Sequence, residues 1–459
     1  MPTQRIAQPT RVIENRRLKL KLTAVGIVSV FSLPAHALSL LEAYQAALDK
    51  DPSFQMARHE RAASSEYETI SRAGLLPNIG ASYSYSKNDA ERTIFANGQS
   101  DKSNPQYTSR VTTLQLRQPL FNVDAWQRYQ GGKAQVNYSD AKFSGASQDL
   151  ITRLTTAYLD ALFAEDQLRL ATAQRDAYYE NQLANQNMFE KGAGTRTDML
   201  ETRARYELSQ AGVLEAQDNV SNRRNELAVI VGGDPGALAP LVPNLPELPL
   251  SPATLAEWES LATANNPEVR ALRHSVDYAQ TEVERNRAGH LPRVDFIASH
   301  SRNSADSLFT FNQESTVNSI GVQMSVPLYS GGSVNAQTRQ ALARLDSDRS
   351  ELDVARQKAL VEARKQFQLL ASSRIRMAAM EQAAQSAAEA VEATRKSVAG
   401  GQRVNLDVLT ALQNLYSTKR DLSEARHGYL LAYLKLHATA GILTGDDLGR
   451  ISACFASNQ

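Results

Sequence analysis

The chain has 459 residues, 42% of them apolar and 22% charged, with a formal net charge of +1. That balance argues against a disordered chain and supplies no clustered basic footprint for nucleic acid. Cys454 is the one cysteine, which excludes a disulfide framework and a thiolate metal site.

The N-terminus reads as an export signal. Arg5, Arg11, Arg16, Arg17, Lys19 and Lys21 precede an apolar run from Leu22 to Leu33, and Ala35-His36-Ala37 supplies a small-residue cleavage site. The run is too short to serve comfortably as a retained membrane anchor. Residues 1–37 are expected to be removed, and six basic residues and Glu14 go with them, taking the net charge from +1 to −4. No apolar run of about 18 residues follows. If the exported chain enters a membrane, it does so as strands.

Residues 40–72 read as a helix, with Leu40, Leu41, Tyr44, Ala47 and Leu48 at helical spacing, until Pro77 marks a change of period. From there the pattern alternates. Ile79, Ala81, Tyr83 and Tyr85 fall on one face and Gly80, Ser82, Ser84 and Ser86 on the other. The polar stretch from Lys87 to Thr108 is expected to be a loop. Alternation resumes with Leu114 and Leu116 against Gln115 and Arg117, and ends at Pro119.

A proline-free stretch, 124–190, then predicts a helix of roughly 100 Å at about 1.5 Å per residue. It breaks at Gly192-Ala193-Gly194, and a second helix follows over 196–230. Six prolines from Pro235 to Pro252 predict a semi-rigid extended linker.

Beyond the linker the same order returns. Arg72-Ala73-Gly74-Leu75-Leu76-Pro77 recurs as Arg287-Ala288-Gly289-His290-Leu291-Pro292. Pro119-Leu120-Phe121 recurs as Pro327-Leu328-Tyr329, and Asp198-Met199-Leu200 as Asp407-Val408-Leu409. Val294, Phe296 and Ala298 alternate with Asp295, Ile297 and Ser299, and Ile320, Val322, Met324 and Val326 with Gly321, Gln323 and Ser325; the polar stretch 301–316 lies between them. A second long helix is expected over 331–398, striped by Ala359, Ala363, Phe367, Leu370, Met377, Ala384, Ala388 and Val391. It breaks at Gly400-Gly401 before a helix over 404–440. The expected organisation is a signal (1–37), a first repeat (38–232), a proline-rich linker (233–252), a second repeat (253–441) and a C-terminal tail (442–459) in which Asp446 and Asp447 are solvated.

The four alternating segments have polar faces nearly free of charge and aromatic residues on or beside them, the pattern of membrane barrel strands. Four strands cannot close a barrel, and an open edge in lipid leaves backbone groups unpaired at several kcal/mol each. Other copies of the chain must complete it: two copies give eight strands, and three give twelve with room for a conduit.

The paired R-A-G-x-L-P motifs, the P-L-[FY] motifs and the two tips, Gly192 to Leu200 and Gly400 to Leu409, are together specific. On them the chain resembles the TolC family of outer-membrane channels over roughly residues 38–445. The resemblance implies a mainly helical fold with membrane strands. It also implies a homotrimer in which each chain gives four strands to a shared 12-stranded barrel and long helices to a periplasmic tunnel. The implied partners are outer-membrane lipid, a periplasmic adaptor and an inner-membrane ABC transporter or proton-driven pump. No catalysis, cofactor or metal is implied.

The resemblance also points to site residues. Asp407 would project into the tunnel entrance, where three copies form an acidic ring favouring cations; the family's second acidic position holds Thr410. Arg403 would latch to Thr197 and Asp198 on a neighbouring helix, although Val398 stands where the family has a tyrosine. The tips at Gly192, Gly194, Gly400 and Gly401 would touch the adaptor. Each has a plainer reading. Asp407 favours a helix N-terminus, Asp198 and Glu201 form a capping box, and the glycines permit tight turns. Phe95, Phe309 and Phe311 are candidate outward lids. Type I protein secretion is the expected task, favoured mildly by a signal without a lipidation cysteine. Drug efflux through the same fold is the alternative, and a soluble periplasmic coiled-coil adaptor is the rival of another class.

Overall fold

The computed structural model describes residues 37–96, 98–243, 245–305, 308–310 and 313–456. The expected signal segment up to His36, and Phe311, lie outside the described residues.

Two helices open the chain where one is expected. α1 (Leu40–Lys50) and α2 (Pro52–Ala73) are separated by Asp51, whose side chain accepts the Phe54 N–H at 2.7 Å and caps α2, with Pro52 as its first residue. Proline suits that position because its missing N–H would have no helical partner. The second repeat breaks at the same place: α5 (Leu255–Asn265) and α6 (Pro267–Arg287) are divided by Asn266, whose side chain accepts the Glu268 and Val269 N–H groups and caps α6.

β1 (Asn78–Asp89) and β4 (Gln106–Phe121) form the first long strand pair. The expected loop between them holds a small hairpin of its own, β2 (Arg92–Ala96) with β3 (Gln99–Ser103). β5 (Arg293–Ser304) and β6 (Glu314–Ser325) form the second pair. All four long strands join in one antiparallel sheet, ordered β1-β4-β5-β6. The β4–β5 contact unites the repeats and leaves β1 and β6 as open edges. The register puts Ile79, Leu116, Ala298 and Ile320 in one row and Gly80, Gln115, Ser299 and Ser319 in the next. Opposed residues share a face, so toward the helices one face is apolar and the other is rich in serine; farther out the first face carries Lys87, Arg110, His300 and Arg302. Ile79, Leu114, Ile320, Val322 and Met324 are all exposed in the single chain.

α3 (Val123–Glu190) and α7 (Ser333–Ala399) leave the sheet as helices of 68 and 67 residues. Near the sheet α2, α3, α6 and α7 lie side by side in that order; farther away α4 (Arg196–Val231) pairs with α3, and α8 (Asn405–Thr439) with α7. Each level thus has four helices per chain. The alanine stripe of α7 serves several partners in turn: Ala359 and Ala363 pack with Ala262 and Val269, Leu370 joins the main core, and Val391 meets Tyr178, Val408 and Leu412.

The main core lies at mid-height. Leu150, Leu154 and Tyr158 of α3, Trp258 of α5, and Leu430, Tyr433 and Leu434 of α8 are fully buried there. The proline-rich segment does not stand apart from it, because Leu238, Ala239 and Leu248 are buried in the same cluster. The segment after Gly441 is not a polar tail. It forms α9 (Gly445–Ser452), whose Leu448 and Ile451 enter the core with Cys454 and Phe455. Asp447 is buried: it accepts the Thr444 N–H at 2.9 Å and pairs with Arg450, while Asp446 is exposed. Single bridges tie Leu38 to Leu238 and Leu241 to Phe455, so both described ends of the chain are fastened to the linker.

Candidate channel entrance and lumen

The two helical tips are built alike and finished differently. Gly192 and Gly401 occupy equivalent turns with φ of 72° and 73°, a conformation that disfavours any side chain. Gly400 has φ −80° and needs no such freedom.

At the first tip Thr195 is the N-cap of α4. Its hydroxyl accepts the Asp198 N–H at 3.1 Å and donates to the Asp198 carboxylate at 2.5 Å. The capping pair is therefore Thr195 with Asp198, three residues before the expected Asp198–Glu201 box. At the second tip the equivalent N-cap is Val404, which has no side-chain hydrogen bond to give. Asp407, in the first turn of α8, thus keeps its carboxylate free of the partner that occupies Asp198. Among the described residues no side-chain hydrogen bond or ion pair of Asp407 or Arg403 is formed within the chain. Both line one groove with Thr394, Thr410 and Asn414, and Arg403 is exposed. Thr197 is exposed and Asp198 half-buried on the other tip. Arg403 shares this groove with Asp407 without an ion pair, and Thr197 and Asp198 of the same chain do not line it.

The helix pairs are joined near the tips by a few polar links. Tyr416 donates to the Ala173 carbonyl at 3.0 Å, Arg205 to Gln413 at 3.1 Å, and Ser423 to Asp166 at 2.9 Å. His427 lies just beyond, buried, with Nδ1 2.7 Å from the Ser423 carbonyl; burial pushes its pKa below the usual imidazole value.

At the far end, the polar face of the sheet was read as nearly uncharged. Among the described residues it carries three charges, all beside the helices: Arg117, Arg293 and Asp295. Asp295 is buried and receives a 2.5 Å hydrogen bond from Arg117. In the sequence, Arg117 and Asp295 stand out only as charges at the helix end of an otherwise serine-rich alternation. Phe95 and Phe309 are strongly exposed, and Arg92 lies over the Phe309 ring at 5.3 Å.

An antiparallel sheet with one lipid-type face, two open edges and paired helices about 100 Å long defines the class: a barrel-forming channel with a helical extension. The outer membrane efflux protein family model matches residues 43–233 and 258–442, and the chain belongs to that family. It is 43% identical over 427 residues to the alkaline protease secretion protein AprF of Pseudomonas aeruginosa, covering 93% of this chain and 89% of that one. It is 38% identical over 451 residues to the proteases secretion protein PrtF of Dickeya chrysanthemi, covering 96% of each. Among solved structures, the outer membrane protein VceC of Vibrio cholerae superposes with a TM-score of 0.75 at 19% identity, covering 88% of this chain and 96% of that one. The fold is thus that of a TolC-like outer-membrane channel, and the soluble-adaptor reading is set aside.

Proposed function

We propose that three copies of this chain form a conduit for type I secretion of proteins, proteases among them. The open four-stranded sheet carries this reading. Its two unpaired edges require neighbours in lipid, and three copies give a lumen of useful width. The two repeats, 38–232 and 253–441, then supply twelve helices at each level of the tunnel. A periplasmic adaptor and an inner-membrane ABC transporter complete the path and supply the energy. Support for secreted protein as cargo comes from the names of AprF and PrtF.

In this reading three Asp407 carboxylates ring the entrance. Arg403 of one chain reaches Thr197 and Asp198 of its neighbour to hold the entrance shut, and the tips at Gly192, Gly194, Gly400 and Gly401 meet the adaptor. Among the described residues Arg403 has no side-chain partner within its own chain, which supports a latch made between chains.

Deleting the gene should leave protease activity in the culture medium at background and restore it on complementation. Unchanged protease export with raised drug sensitivity would favour efflux instead. In planar bilayers Asp407→Ala should lower cation preference, and Arg403→Ser should raise the resting conductance. A mutant channel unchanged in both respects would remove the ring and the latch.

A further inference from the structure

The sheet has a charge pattern that the entrance residues do not explain. Its apolar face must meet lipid, so the serine-lined face is the lumen wall. Along that wall the register sets Ser82, Thr113, Ser301 and Val317 in one row and Ser84, Val111, Asn303 and Ser315 in another, without a charge. Among the described residues, the three charges on this face of the sheet lie where the strands meet the helices. Arg293 and Asp295 are two apart on β5 and so share that face. Arg117 reaches Asp295 diagonally from β4 at 2.5 Å. Gln323 and Ser325 stand opposite Asp295 and Arg293 on β6.

The duplication makes the placement specific. The positions equivalent to Arg293 and Asp295 in the first repeat are Asn78 and Gly80, and the position equivalent to Arg117 in the second is Ser325. The charges therefore sit only across the β4–β5 seam inside each chain. The seam between chains, β6 to β1, is neutral at the same level. The one carboxylate is consumed by Arg117. Arg293 is exposed and makes no ion pair among the described residues.

We infer that Arg117 and Arg293 form a basic collar at the neck of the channel, with a net charge of +1 per chain, that favours anions and carboxylate-bearing segments of cargo. It rests on the trimeric channel reading given above. The conduit would then hold two filters of opposite sign in series, acidic at the entrance and basic at the neck, separated by the length of the tunnel. Wall charges act over roughly one screening length, about 10 Å at 0.1 M salt and about 3 Å at 1 M. The collar's influence is therefore confined to low ionic strength.

The test is the reversal potential of purified full-length trimers in planar bilayers under a potassium chloride gradient, in an Asp407→Asn background so that the entrance ring does not mask the neck. Arg293→Gln should lower the chloride-to-potassium permeability ratio about twofold near 0.1 M salt and leave it unchanged near 1 M. Arg293→Lys should keep the parental ratio. Arg117→Gln with Asp295→Asn removes one charge of each sign without leaving a buried carboxylate unpaired, and should also keep it. An unmoved reversal potential for Arg293→Gln at low salt overturns the collar while leaving the channel intact. Absence of any conductance from the unmodified trimer overturns the channel reading itself.

Discussion

Asp51 and Val404 show how single side chains set this structure. Asp51 is 2% exposed, caps α2 and accepts two hydrogen bonds from Arg153 at 3.1 Å each. Burial pushes its pKa up, but the Arg153 guanidinium and the Phe54 and Ser53 N–H groups outweigh that and hold it below the usual 3.8. A lowered carboxylate pKa stabilises the fold above the unfolded value and is lost as pH falls through the folded one. The contribution is thus complete at neutral pH, begins to fall near about pH 4 and is lost progressively below it. Asp51→Ala removes the α2 cap and two of the Arg153 hydrogen bonds, while Arg153 keeps Asp149 at 2.6 Å; it should cost about 1–2 kcal/mol, read as a lower denaturation midpoint at pH 7. The deficit relative to the parent should shrink in acid. At the second tip, Val404→Thr installs the hydroxyl that occupies Asp198 at the first. It should add about 1 kcal/mol of helix stability and lower cation preference by engaging Asp407. A gain in stability with unchanged selectivity would detach the acidic ring from the cap.

At the scale of elements, α9 is a fastening of the core. Leu448 and Ile451 are fully buried and Phe455 pairs with Leu241. Truncation after Leu443 should abolish heat-stable trimers on a gel, whereas removal of residues 92–103, whose strands pair only with each other, should leave trimers intact. These elements also mark how far the sequence could be read. The barrel strands announce themselves, because lipid on one side and lumen on the other impose a period of two on Ile79 to Ser86. The β2–β3 hairpin has no such contrast: Gln99 to Ser103 is exposed throughout and reads as loop. The α1–α2 break was written in Asp51-Pro52, but the continuous apolar spacing around it suggested one helix. α9 has eight residues, too few to display a period, and its paired aspartates pointed to solvent although one of them is a cap. Asp198 and Asp407 sit in matching tripeptides, and only the residue three places earlier, threonine or valine, separates a tethered carboxylate from a free one.

Across the whole molecule, the two repeats share one frame and differ in detail at the tips and at the neck. The cores of α3 and α7 follow one plan, with α2 and α6 on one half of each and α4 and α8 on the other. The tips depart from it at Thr195 and Val404, and the neck departs from it at Arg117, Arg293 and Asp295. Duplication supplies the frame, and in the proposed channel unequal substitution at the tips and the neck would give the two halves separate work.

The open edges at β1 and β6 carry a genetic consequence. If the barrel wall is shared among three chains, as proposed, it cannot be divided into good and bad sectors, so one defective subunit would spoil the pore it joins. With equal expression of parent and mutant and random assembly in threes, about one pore in eight is wholly parental. Lesions confined to the tips or the neck, which leave the strands able to pair, are therefore expected to be dominant. Lesions that stop the sheet from forming remove the chain from the pool and are expected to be recessive.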